Sequence, residues 1–266
     1  NNVVVSPRLY YLSMGAENAY LVGGKNWSVY HSVAAYTDRF VGFGARASGI
    51  YNAGTDGGGT GTGRADKVVQ LRSRPGRFQY GVQYQLSNDI PQIEGASYRY
   101  GMGASFQYRA LNGFSLGVAY NRAVPEEITA QMIAQGNEGS AQALATAARW
   151  TSDSWYVAVT HARSQNHEAD NEYQYYDAIG WEGIVRYSFQ GRYRLLTGFN
   201  YLRPDDSDYQ GDRLIQEYYL NLLYDFGNLN FEDMIYVAYR YNDGQNSEGV
   251  SGPNAILVGV RYMLRY

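Results

Sequence analysis

The stretch 256–266 constrains the fold more than any other part of the chain. It reads Ile-Leu-Val-Gly-Val-Arg-Tyr-Met-Leu-Arg-Tyr. Ile256, Val258, Val260, Tyr262, Leu264 and Tyr266 share one parity, and all are apolar or aromatic. Gly259, Arg261 and Arg265 fall on the other parity, with Leu257 and Met263. Alternate residues of a strand point to opposite faces. One face therefore suits hydrocarbon, while the other holds two guanidinium groups. A soluble sheet buries its apolar face, but here that face runs to an aromatic residue with no polar tail after it.

The same alternation recurs along the chain. Thirteen strand-like runs lie near 3–13, 17–24, 64–73, 77–86, 98–109, 112–122, 140–150, 153–163, 176–189, 191–202, 213–226, 229–241 and 254–266. Phe78, Tyr80, Val82 and Tyr84 oppose Gln79, Gly81, Gln83 and Gln85. Phe114, Leu116, Val118 and Tyr120 oppose Ser115, Gly117, Ala119 and Asn121. Tyr193, Leu195, Phe199 and Tyr201 oppose Arg192, Arg194, Gly198 and Asn200. A polar face of Gly, Gln, Ser and Arg suits a water-filled lumen better than a packed core. The run at 140–150 is the weakest, because 131–148 is rich in Gln, Ala and Met and equally suits a short helix.

Connections alternate in length. Turns at 75–76, 111–113, 151–152, 190–191 and 227–228 alternate with long loops at 25–63, 87–97, 123–139, 164–175, 203–212 and 242–253. Transmembrane barrels are built this way, with short turns at one end and long loops at the other. The 28 tyrosines suit aromatic girdles at a membrane interface. A mean hydropathy of −0.45 does not argue against a barrel, since half of each strand faces water. No apolar run reaches the roughly 18 residues of a spanning helix. The net charge of −3 gives no nucleic-acid footprint, and the absence of cysteine removes disulfides and thiolate metal sites. The sequence is thus read as one domain over 1–266, an all-β transmembrane antiparallel barrel; a soluble sandwich, jelly roll or propeller is the alternative. Single-chain barrels of bacteria have even strand numbers, so thirteen leaves the closure incomplete. Three further strands before residue 1 would give sixteen, a size that leaves an aqueous channel.

Ser-Pro-Arg-Leu-Tyr-Tyr-Leu at 6–12, Gly24-Lys25-Asn26, Val29-Tyr30, Tyr36-Thr37-Asp38, Phe43-Gly44 and Arg64 resemble the trimeric general porins of Gram-negative bacteria over about residues 6–85. The closing strand resembles the aromatic-ended final strand of outer-membrane barrels. The resemblance implies a porin lacking its first three strands, with 25–63 as a loop that folds inward and narrows the pore. It also implies that Asp38 is a loop carboxylate facing wall arginines Arg8 and Arg64, with Lys25 as a basic residue at the loop's root. The pattern departs after Asp38: Val41-Gly42-Phe43-Gly44-Ala45 stands where enteric porins have Pro-Glu-Phe-Gly-Gly, so a second loop carboxylate is missing, and Arg39 adds a positive charge.

Parity places further charges on the lumen: Arg99, Arg109, Glu182, Arg186, Arg192, Arg194, Glu217, Arg240 and Arg261. Lys67 and Gln216 break the rule. Opposed charges across a narrow pore create a field that orients solutes and biases ion selectivity; with one loop carboxylate fewer, this arginine-rich lumen is expected to weaken any cation preference or tip it toward anions. The glycine-rich run 54–63 either lines the pore or forms an exposed tip, and it lacks the Gly-Lys-Ser/Thr ending of a phosphate loop. No spacing among His31, His161 and His167 supports a hydrolase, and the latter two read as surface residues. The run Asp205-Asp206-Ser207-Asp208 with Asp212 reads as a solvated loop, with calcium binding or a divalent bridge to lipopolysaccharide as its sharper alternative.

The expected function is passive diffusion of ions and small hydrophilic solutes, with no catalysis, no cofactor and no metal site. The expected setting is a bacterial outer membrane, with lipid and lipopolysaccharide around a homotrimer. Alternatives are a channel preferring sugars or small anions, in which Trp27, Tyr30 and Tyr36 form an aromatic slide; a plugged structural or adhesin barrel; and a soluble carbohydrate-binding β-protein.

Overall fold

The computed structural model describes residues 8–91, 93–170, 172–205, 214–227, 233–245 and 250–262. Parts of the expected first, eleventh, twelfth and last strands, and residues 206–212 of the acidic loop, lie outside that set. The strands are β1 (Tyr10–Ala16), β2 (Ala19–Trp27), β3 (Arg64–Ser73), β4 (Phe78–Gln85), β5 (Asn88–Asp89), β6 (Ser97–Arg109), β7 (Phe114–Pro125), β8 (Ala141–Thr151), β9 (Trp155–Ala169), β10 (Tyr175–Phe189), β11 (Tyr193–Pro204), β12 (Ile215–Asp225), β13 (Met234–Asn242) and β14 (Ala255–Arg261). All but β5 follow one another in sequence order through a single antiparallel sheet, and β5 pairs beside β6. Each expected run has its strand. The doubtful region resolves into both readings: a one-turn helix α2 (Ala130–Ala134), capped by the Thr129 hydroxyl, and then β8.

Period-two patterning sets the two faces. On β4, Phe78, Tyr80, Val82 and Tyr84 are between 43% and 51% exposed, while Gly81, Gln83 and Gln85 between them are buried. A continuous apolar outer face of this extent is what lipid contact requires. Near the turns this face carries aromatic neighbours: Trp155 against Tyr187 at 4.5 Å, Phe189 against Tyr193 at 5.2 Å and Tyr193 against Tyr224 at 5.1 Å.

The core lies inside the sheet and is supplied largely by the connection between β2 and β3. Its residues touch β6 through Tyr36 and Gln107, β10 through Thr37 and Glu182, β12 through Val41 and Asn221, and β14 through Gly42 and Leu257. One loop reaches all four strands only because the sheet curls around it as a barrel wall. Among the described residues β1 and β14 each pair on one side only, so the sheet stays open between them.

Candidate pore constriction

The infolded loop is tied at its root. Ser28 donates its amide to Gly63 O at 2.9 Å and its hydroxyl to Thr62 O at 2.6 Å. A single helical turn α1 (His31–Ala34) follows, with Val33 and Ala34 fully buried. It packs against β8, where Ala141, Ala143, Ala145 and Ala147 face inward and leave room for it. Gly180 on β10 plays a similar part, since a Cβ there would collide with Ala47 O. Gly42 has φ +82° and lies against Leu257 of β14, a position closed to larger residues.

Wall side chains then hold the loop backbone. Gln85, Gln83 and Asn121 donate to Gly58 O, Gly61 O and Thr60 O at 2.6, 2.8 and 2.6 Å. Tyr156 donates to Tyr36 O at 2.6 Å, and Tyr36 to Gln107 Oε1 at 2.7 Å. The glycine-rich run is therefore a seated segment rather than an exposed tip. The wall amides are buried under it and do not face open water.

Past α1 the loop carries Asp38, whose carboxylate accepts from the Tyr51 hydroxyl at 3.2 Å. Burial pushes the Asp38 carboxyl up, partly offset by that bond and by Arg39 and Arg64. The Tyr51 hydroxyl is pushed up to about 12 by burial and by Asp38. His31 stacks on Trp27 at 3.9 Å, and burial, followed by Arg72, Arg39 and Arg64, lowers its pKa to about 3. Its 4.0 Å approach to Asp38 is thus a contact of a neutral ring with a carboxylate.

Arg8, Asp38 and Arg64 meet around one opening of about 540 Å³, completed by Phe40, Gly42, Phe43, Gly44, Arg46, Tyr51, Glu217 and Arg240. Arg46 and Arg240 both reach the buried Glu217, at 2.6 and 3.4 Å. Arg64 lies over the Trp27 ring at 4.7 Å and approaches Asp56 at 3.7 Å. Lys25 stands apart from the opening, held by Asp66 at 2.8 Å and Asp56 at 3.6 Å at the loop root. Arg39 points elsewhere, over the Tyr156 ring at 5.5 Å.

The other parity-derived charges separate. Glu182 faces inward but is fully buried, because the loop covers it: it accepts from Thr37 Oγ1 at 2.5 Å and Ala47 N at 2.8 Å. It latches the loop and does not line open lumen. Arg99 sits at a register shift of β6 that takes it out of the alternation, and it is exposed beside Glu126 at 3.2 Å. Arg109 bonds inward to Gln79, and Arg192 to Asp225 O. Arg186 lies over the Tyr156 ring at 5.0 Å, Arg194 lies within repelling reach of Arg186, and Arg261 is exposed at the turn end of β14. Lys67 breaks parity because it lies at a bulge with φ +48°, and its ammonium donates to Ser87 O. Gln216 bonds to Asp243 at the loop end of β12.

Two expectations differ from the structure. Tyr30 and Tyr36 belong to the loop and are buried between it and the wall, so they form no aromatic slide. His167 is a buried residue bonded to Gly49 O at 2.9 Å, while His161 stacks on Trp181 on the outer face. Arg46, Arg72 and Arg149 were missed. Arg72 donates to Ser32 and Trp27 O, and Arg149 lies 4.3 Å from the Tyr36 ring. Arg149 shares parity with the inward alanines of β8, which would have found it.

A curled antiparallel sheet, apolar outside and charged within around an infolded loop, defines a porin-like β-barrel. Solved structures agree on that fold. The chain is similar to Salmonella typhi OmpF in its complex with daunomycin (TM-score 0.78, 21% identity, 96% of this chain and 77% of that one). It is also similar to the trimer form of Vibrio cholerae OmpT (0.63, 13%, 96% and 80%). An anion-selective porin from Comamonas acidovorans matches as well (0.57, 11%, 94% and 71%). No protein-family model and no curated protein matches the sequence.

Proposed function

We propose that the chain is an outer-membrane porin, a water-filled channel through which ions and small hydrophilic solutes diffuse down their gradients. The observation that carries this reading is the opening bounded by Asp38 on the loop and Arg8, Arg64 and Arg240 on the wall. A structural or plugged barrel needs no such opening, nor the larger space of about 770 Å³ on its loop side, lined by Glu168, Asp170, Glu172 and Tyr176. The opening's charges are Arg8, Arg46, Arg64 and Arg240 against Asp38 and Glu217, an excess of positive charge that favours anions. The porin-like fold supports lipid and lipopolysaccharide as surroundings, and the trimer form of the OmpT neighbour supports a homotrimer. No catalytic step is assigned. Planar-bilayer recording tests the proposal: stepwise openings, three per inserted particle, are expected. A folded barrel that never conducts would refute the channel.

A further inference from the structure

On the turn side of the loop the wall changes character. Arg109, Arg149, Arg186 and Arg194 come from the turn halves of β6, β8, β10 and β11, and the loop adds Arg39 from above. Two aromatic rings organise them. The Tyr156 ring has Arg186 at 5.0 Å and Arg39 at 5.5 Å, and the Tyr36 ring has Arg149 at 4.3 Å. The rings are linked, since Tyr156 donates to the carbonyl of Tyr36. Arg186 is directly opposite Tyr156 in the strand register, so its position is set by the sheet itself.

Three of these guanidiniums crowd one another. Arg39 repels Arg186, and both repel Arg194. Among the described residues none of Arg39, Arg149 and Arg186 has a carboxylate ion-pair partner. Asp38 next to Arg39 attracts it at longer range, but the hydrogen bond it accepts comes from Tyr51. Stacking on a ring eases each cation without neutralising it. A mobile anion would relieve the excess positive charge gathered here, and planar guanidinium forks match the oxygens of phosphate groups in pairs.

We propose that Arg39, Arg149 and Arg186 form a subsite for phosphate oxyanions, directly on the turn side of the constriction. It rests on the channel reading above and deepens it. Solutes leaving the acidic loop-side space and passing the opening meet this basic wall, which holds a doubly charged phosphate better than chloride.

The experiment records chloride current through the folded channel at pH 8 while inorganic phosphate is added, with glucose 6-phosphate as a second arm. Phosphate is expected to reduce the current, with a half-blocking concentration that rises at least tenfold in R39Q/R186Q and stays unchanged in R163Q on the outer rim. Block by both compounds assigns the site to the phosphate group, and block by inorganic phosphate alone assigns it to the free ion. A conducting channel with equal block in wild type and R39Q/R186Q overturns the subsite and leaves the channel standing. A folded protein that never conducts overturns the channel. Calorimetric titration of the detergent-folded protein with inorganic phosphate then decides the subsite alone: no wild-type binding overturns it, and binding lost in R39Q/R186Q supports it.

Discussion

Replacing Asp38 with Asn removes one negative charge from the opening and leaves its shape. The space of about 540 Å³ corresponds to a sphere of about 5 Å radius, so the carboxylate sits about that far from an ion at its centre. In a water-like medium a unit charge at about 5 Å contributes about 0.8 kcal/mol, reduced to about 0.5 kcal/mol by screening at 0.1 M salt. Removing it lowers the barrier for chloride and raises that for potassium by this amount. The permeability ratio should therefore move toward chloride by about fivefold. A less polarisable wall would enlarge the change, so fivefold is the lower figure. The assay is the reversal potential under a KCl gradient at pH 8, with Asp205→Asn, whose partner is Arg163 on the outer rim, as the control. An unchanged ratio in D38N, with conductance intact, would refute the placement of Asp38 in the ion path.

Acidification should carry the wild type toward D38N. The Asp38 carboxyl is raised by burial, so it takes up its proton above the ordinary value of 3.8, and anion preference grows as pH falls through that range. The D38N curve should stay flat there, and a wild-type curve flat down to pH 4 would contradict the assignment. His31, held neutral until about pH 3, should add nothing to that titration, so His31→Gln should leave its midpoint in place. Glu182→Ala leaves the Thr37 hydroxyl its bond to Thr160 but strands the Ala47 amide under the loop, at about 1–3 kcal/mol. Trypsin should then cut after Arg39 or Arg46 at least tenfold faster than in wild type, and an equal rate would remove Glu182 as the latch. Gly180→Val places a side chain on Ala47 O and should give the same protease sensitivity.

The strands were legible because period two is imposed by backbone geometry and the outer face has one solvent throughout. Each apolar stripe, from Phe78–Tyr84 to Ile256–Val260, lies outward. The inner face was harder to read, because parity tells which side a residue takes and not what covers it there. Gln83, Gln85, Asn121 and Glu182 are polar residues of the kind a lumen wants, yet they serve a loop that arrives from elsewhere in the chain. Arg99 was misplaced, and Lys67 broke the rule, for another reason. Bulges at both positions shift the alternation, and nothing in the local sequence announces them. Arg46 lies on the loop, where no parity applies.

The inner wall nevertheless carries a second pattern that parity does not use. Where the loop rests, the wall offers Ala141, Ala143, Ala145 and Ala147, the glycines Gly117 and Gly180, and amides that meet loop carbonyls. Toward the turn halves of β8, β10 and β11, past the seat of the loop backbone, the inward residues become Arg149, Arg186 and Arg194. Long charged side chains need volume and water, and small ones are needed where a backbone approaches within bonding distance. The size of the inward residue along a strand therefore marks the loop's footprint. Ala145→Arg tests this directly: a guanidinium beneath α1 has neither space nor partner, so the loop should unseat, with trypsin sensitivity matching that of Glu182→Ala. The same change at Thr146, one residue along and on the outer face, should leave the loop seated.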